Sequence, residues 1–146
     1  MNEIYPSSPP RVDYGADPFF INIDEATTQN KMFRRVVWTG ANLQLAFMSI
    51  DVDSSVGLDI HPRTDQFVFI EEGQGIATMG EGRENQPYKR NVSHGYGYMI
   101  PAGIWHNLIN VGAVPIKLSV MYGPPLLPKG TVHPTKADAE IAMREY

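Results

Sequence analysis

The chain carries four histidines and no cysteine. Disulfides, thiolate nucleophiles and cysteine-based zinc sites are therefore excluded, and imidazole, carboxylate and amide groups remain as the good metal ligands. Two of the histidines stand in apolar, strand-like surroundings. His61 follows VGLDI, and His106 lies within GIWHNLIN. An imidazole in such a place either packs as a hydrogen-bonded interior group or offers its unprotonated nitrogen to a metal ion. His94 precedes Gly95 in a loop-like stretch and is expected at the surface.

The elements that must position these residues read as short strands. From Phe33 onward, FRRVVW and LQLAFMSIDV flank Thr39-Gly40-Ala41-Asn42 and predict a β-hairpin. QFVFIEE ends at Gly73, YGYMI ends at Pro101, WHNLINV ends at Gly112, and PIKLSVMY ends at Gly123-Pro124-Pro125. Eight or nine such strands with glycine and proline punctuation, and almost no helix between them, predict an antiparallel sandwich or barrel. Before them, Pro6, Pro9, Pro10 and Pro18 favour an extended arm, with one short helical turn at residues 24–29. After them, TKADAEIAMREY carries Thr135 and Asp138 in capping-box spacing and favours a helix. The expected organisation is an arm at 1–32, a barrel at 33–125 and a tail with a short helix at 126–146.

Residues 95–110, GYGYMIPAGIWHNLIN, place Gly95, Pro101, Gly103, His106 and Asn110 at fixed intervals. A strand stops at a Pro-Ala-Gly turn, where glycine accepts a backbone conformation other residues resist. The next strand starts at once, and alternation puts His106, Leu108 and Asn110 on one face. This segment resembles the second conserved motif of the cupin superfamily. An altered first motif lies upstream in GLDIHPRTDQFVFIEEGQG. His61 fits its first histidine and Gly73 its closing glycine. Arg63 stands where a second histidine would be and Gln66 where a glutamate would be. Gly57 sits two positions too close to His61.

The resemblance covers roughly residues 40–125. It implies an all-β, double-stranded β-helix, or jelly-roll barrel. It also implies a divalent metal ion, such as zinc, nickel, manganese or iron, held by His61, Gln66 and His106. An amide oxygen can coordinate but brings no charge, so two imidazoles and one amide would leave the dipositive charge uncompensated. Weaker binding and sharper Lewis acidity follow, and the set departs from the 2-His-1-carboxylate triad of many iron oxygenases. Arg63 cannot ligate a metal, because its guanidinium stays protonated. Turned inward, it would anchor a carboxylate or phosphate; if the strand ends at Pro62, it points to solvent beside Asp65. No general base is evident, although Asp59 and Glu71 are close in sequence. His133, just before the terminal helix, is expected at the surface, with folding over the barrel mouth as the alternative.

With 12 Lys+Arg against 16 Asp+Glu and no basic block, nucleic-acid binding is not expected. Arg34, Arg35, Lys31, Lys89 and Arg90 read as a solvated surface. There is no membrane-span pattern or signal-peptide pattern, and a cytoplasmic protein is expected. Phe67 and Phe69 alternate with Val68 and Ile70, so both faces of that strand are apolar. The outer face needs a cover, either the arm or a second copy, and a homodimer is expected. The leading functional expectation is metal-dependent, isomerase-like or other Lewis-acid chemistry on a small polar molecule. The alternative is a non-enzymatic cupin that binds a small ligand, with or without metal.

Overall fold

Valine, isoleucine, phenylalanine and tyrosine suit a pleated, half-buried surface, and the runs rich in them become the strands. The computed structural model describes residues 12–143. The first eleven residues of the expected arm and the last three of the expected tail lie outside the described residues. A short helix α1 (Ile23–Gln29) precedes β1 (Arg34–Thr39), β2 (Gln44–Ile50), β3 (Asp65–Glu72), β4 (Gly75–Gly80) and β5 (Tyr88–Val92). Then come β6 (Gly97–Ile100), β7 (Trp105–Asn110), β8 (Ile116–Gly123), β9 (Val132–His133) and a terminal helix α2 (Lys136–Met143).

The strands pair antiparallel in two sheets, one ordered β6-β3-β8-β2-β1-β9 and the other β5-β4-β7. This is the expected jelly roll. Its core fills the space between the sheets: Val36, Ala46, Val68 and Leu118 from the larger sheet meet Ala77 and Leu108 from the smaller. The hairpin of β1 and β2 forms as the sequence suggests, with Thr39 opposite Gln44. The short strand β9 pairs with β1, placing His133 opposite Arg34. Two residues are too short a run for any periodicity to announce, and the sequence reading missed it.

Alternation in β3 sends Gln66, Val68 and Ile70 inward and leaves Phe67 and Phe69 half-buried on the outer face. The chain before β1 covers part of that face. Ile21 and Ala26 pack on buried Val37, Leu45 and Phe47, and α1 also rests on β8 and β3. Met99, opposite Phe67, remains 66% exposed.

Three buried polar side chains tie the loops to this frame. Asp13 accepts from the Gly15, Thr39 and Gly130 amides and from the Thr39 hydroxyl. Burial pushes its carboxyl up, but these hydrogen bonds outweigh burial and leave it below its ordinary value. Gln44 accepts from the amides of Leu126 and Leu127 and donates to the Leu127 carbonyl, anchoring the start of the tail. Asn110 donates to the carbonyls of Ile50, Asp51 and Val114 and accepts from the Gly112 amide. The last element, α2, is capped as its spacing predicts: the Thr135 hydroxyl accepts from the Asp138 amide while the Asp138 carboxylate accepts from the Thr135 amide. Among the described residues no helix is long and apolar enough to cross a membrane.

Asn110 is a motif residue whose task is structural. Asn110→Ala should leave several loop groups without partners at a buried position and cost about 3 kcal/mol or more. Urea unfolding of the variant checks this, and a midpoint equal to that of the parent would refute it.

Candidate functional site

His106 reaches the barrel interior because β7 alternates. His106, Leu108 and Asn110 are all buried, while Ile109 is 40% exposed. The preceding turn depends on Gly103, whose φ of +82° lies in the left-handed region that side-chain-bearing residues resist. The amide of Gly103 donates to the His61 carbonyl at 2.9 Å. The backbones of Asp59 and His106 exchange two hydrogen bonds, at 2.9 and 3.0 Å. His61 is thus held in place although it lies outside any strand. The two imidazoles end with ring centroids 5.1 Å apart, tilted by 50°.

The proton positions follow from the partners. His106 Nδ1 lies 2.9 Å from the Ile104 carbonyl oxygen. A carbonyl only accepts, so Nδ1 carries the proton and Nε2 presents a lone pair. Gln66 faces that lone pair, its amide Nε2 donating to His106 Nε2 at 3.3 Å. Asp59 Oδ2 lies 3.8 Å from His61 Nε2. Burial lowers the proton affinity of His61, to a pKa of about 4. The Asp59 carboxylate opposes this, and the charges of His106 and Arg34 add to it. Burial also lowers His106, partly opposed by its bond to Ile104 and by Asp59. Both rings are therefore neutral near pH 7, the protonation state that ligation needs.

A cavity of about 450 Å³ surrounds this group. Met48, Ile100, Leu118 and Val120 form apolar wall, while Asp59 and Arg34 add charge near the imidazoles. Tyr98 also lines it, and burial raises its phenol above the ordinary value, so it stays a neutral hydroxyl. On one side Lys136, Ala139, Glu140 and Met143 of α2 complete the wall. Lys136 Nζ donates to Ser55 Oγ at 3.0 Å and fastens the helix to the loop after β2.

His61, Gln66 and His106 all line this one cavity. The donor set fits a weakly held divalent ion: two neutral imidazoles, one with its protonated Nδ1 fixed by a carbonyl, and an amide that can turn its oxygen inward. Among the described residues no group of three His, Cys, Asp or Glu side chains is arranged to hold a metal ion, so the amide would have to supply the third donor.

Arg63 does not join them. It lies in an exposed turn outside the cavity wall, because β3 begins only at Asp65 and the alternation does not extend back to it. Asp65 accepts from the Ala102 amide instead. Arg34, expected in solvent, is 6% exposed and lines the cavity. Arg34 and Arg35 sit in a strand with valines on both faces, so periodicity alone could not say which arginine turns inward. His133, expected at the surface, is 4% exposed beside β1. Asp59, near His61 in sequence, lines the cavity beside it, and a two-residue spacing is the strand signal for a shared side. Glu71 lies elsewhere; burial and a hydrogen bond with Asp24 raise its carboxyl, and it faces α1. His94 is at the surface, its Nδ1 2.8 Å from the Glu71 carbonyl.

Comparison with known proteins shows the family and agrees with the fold. The cupin domain family matches residues 46–122. The uncharacterized protein YrkC of Bacillus subtilis is 48% identical over 89% of this chain and 70% of its own length. The crystal structure of BH2720 from Bacillus halodurans superposes with a TM-score of 0.88 at 46% identity, covering 90% of this chain and 99% of that one. TT1209 from Thermus thermophilus shares the fold at 20% identity, with a TM-score of 0.56 over 64% of this chain and 84% of its own.

Proposed function

The chain belongs to the cupin domain family, and from that premise we propose that its barrel holds a divalent metal ion and acts on a small polar molecule. The observation that carries this reading is the pair of neutral imidazoles 5.1 Å apart in an apolar-walled cavity, with the His106 lone pair turned toward Gln66. His61, Gln66 and His106 would hold the ion. Bound there, it would supply Lewis acidity, polarising a carbonyl or hydroxyl of the substrate. A neutral ligand set suits isomerisation or related Lewis-acid chemistry better than oxygen activation. The chain's own residues supply the rest. The apolar wall limits water, Asp59 can take or return a proton beside His61, and Tyr98 can donate a hydrogen bond. The cytoplasm, where the chain is proposed to work, supplies small metabolites as candidate substrates.

One observation favours a second reading, a cupin that binds a ligand without catalysis. The amide of Gln66 already satisfies the His106 lone pair, so the site is self-consistent as a hydrogen-bonded pocket.

Metal titration separates the two. Protein treated with chelator should bind at least one of zinc, nickel, manganese or ferrous iron. Gln66→Glu should tighten binding by roughly tenfold or more, because it adds a charge next to the ion, and His106→Ala should abolish it. The metal reading fails if no ion binds, or if His106→Ala binds as well as the parent. A second proposal concerns assembly: another copy of the chain covers the apolar outer surface around Phe67 and Met99, giving a homodimer. Light scattering at micromolar concentration should return twice the chain mass, and a monomer would refute it.

A further inference from the structure

Arg34 is a charged group in the cavity wall that the proposed chemistry leaves without a task. It is 6% exposed, and its Nε has no hydrogen-bond acceptor. Its guanidinium carbon lies 5.5 Å from the centroid of the Phe33 ring, an arrangement that offsets part of a cation's desolvation. No carboxylate among the described residues forms an ion pair with it. A guanidinium remains charged whatever its surroundings, and a buried charge without a counterion is strongly unfavourable. Directly across the strand pair, the Nδ1 of His133 also lacks a partner.

The other charges of the wall are engaged or exposed. Lys136 donates to Ser55. Arg83 is exposed, with its guanidinium carbon 5.2 Å from the centroid of the Trp105 ring. Asp59 Oδ1 accepts from the Ile60 amide, and Glu140 is exposed on α2. One buried, unmatched positive charge therefore faces a cavity whose nearer walls include Met48, Leu118 and Val120.

We propose that Arg34 anchors the carboxylate of a small organic acid bound in the barrel cavity. The unpartnered guanidinium offers a planar pair of donors, and a carboxylate matches it with two oxygens. One buried, unmatched charge calls for a ligand with one negative charge; among the described residues the other cations of the wall are Lys136, which donates to Ser55, and Arg83, which is exposed beside Trp105. The apolar wall receives the body of the acid. This inference rests on the cavity being the functional site and names the class of molecule it takes, but it does not require the metal.

Chelator-treated protein is the material for the test, so that carboxylate binding and metal binding are judged apart. The probes are propanoate, lactate and pyruvate, their neutral amides propanamide and lactamide, and inorganic phosphate. The side-chain Nε–H resonance of Arg34, assigned by its loss in Arg34→Lys, should shift on titration with at least one carboxylate and not with the amides. The same carboxylate should raise the melting temperature of the parent by mass action. Arg34→Gln should weaken its binding by about tenfold or more, the scale of a lost hydrogen bond to a charged group. The proposal is overturned if no carboxylate moves the Nε–H resonance of the parent. It is also overturned if the amides or phosphate bind as well as the acids, or if Arg34→Gln binds with parental affinity. The resonance is read on the parent, and through-bond correlation assigns it there if Arg34→Lys does not fold, so a variant that fails to fold leaves the decision intact.

Discussion

The backbone hydrogen bonds between residues 59–61 and 103–106 decide what the interior of this barrel can be. Asp59 and His106 exchange a pair of them, and Gly103 donates to the carbonyl of His61. Without this clamp, His61 would sit on an unpaired loop, because the segment from 51 to 64 forms no strand of its own. With it, two imidazoles from distant parts of the chain share one cavity. The clamp depends in turn on the left-handed turn at Gly103 and on the loops that Asn110 gathers at the other end of β7. A single segment therefore sets both the frame and the surroundings of His61 and His106.

Electrostatics inside the cavity follow from burial more than from pairing. Desolvation keeps both imidazoles neutral and Tyr98 protonated. Arg34 cannot respond in the same way, since a guanidinium does not release its proton. Its charge disfavours protonation of His61, His106 and His133 alike. Asp59, half in solvent, pulls the other way on His61 and His106. The cavity thus combines lone pairs that can bind a cation with one fixed cation that suits an anion. A metal ion and an acid that neutralises Arg34 would complement one another there.

How much of this was legible in the sequence differs residue by residue. The segment from Gly95 to Asn110 was readable in full, since its spacing encodes a turn and an alternating strand, both local features. His61 and Gln66 were readable through the same logic, with Gln66 in phase with Val68 and Ile70. Arg63 was left open, and the turn at Pro62 resolves it toward the outside. Arg34 and His133 were missed for a shared reason. They face each other across a pairing of β1 with a two-residue strand nearly a hundred positions away. Nothing in their neighbours' polarity marks that register: Val36 and Val37 are both fully buried, so β1 has no polar face to read. Tertiary pairing, rather than local pattern, turned these two residues inward.

Any ligation in this cavity requires His61 and His106 to be neutral, with the unprotonated Nε2 of His106 turned into the cavity. Nitrogen NMR of the histidine rings in chelator-treated protein tests that directly, because ring nitrogen shifts distinguish both tautomers and the cation. The predicted result is that both rings are neutral at neutral pH, with the proton of His106 on Nδ1, and that both gain charge only below the ordinary value of about 6.5. A His106 ring protonated on Nε2, or either ring gaining charge at or above pH 6.5, would contradict it.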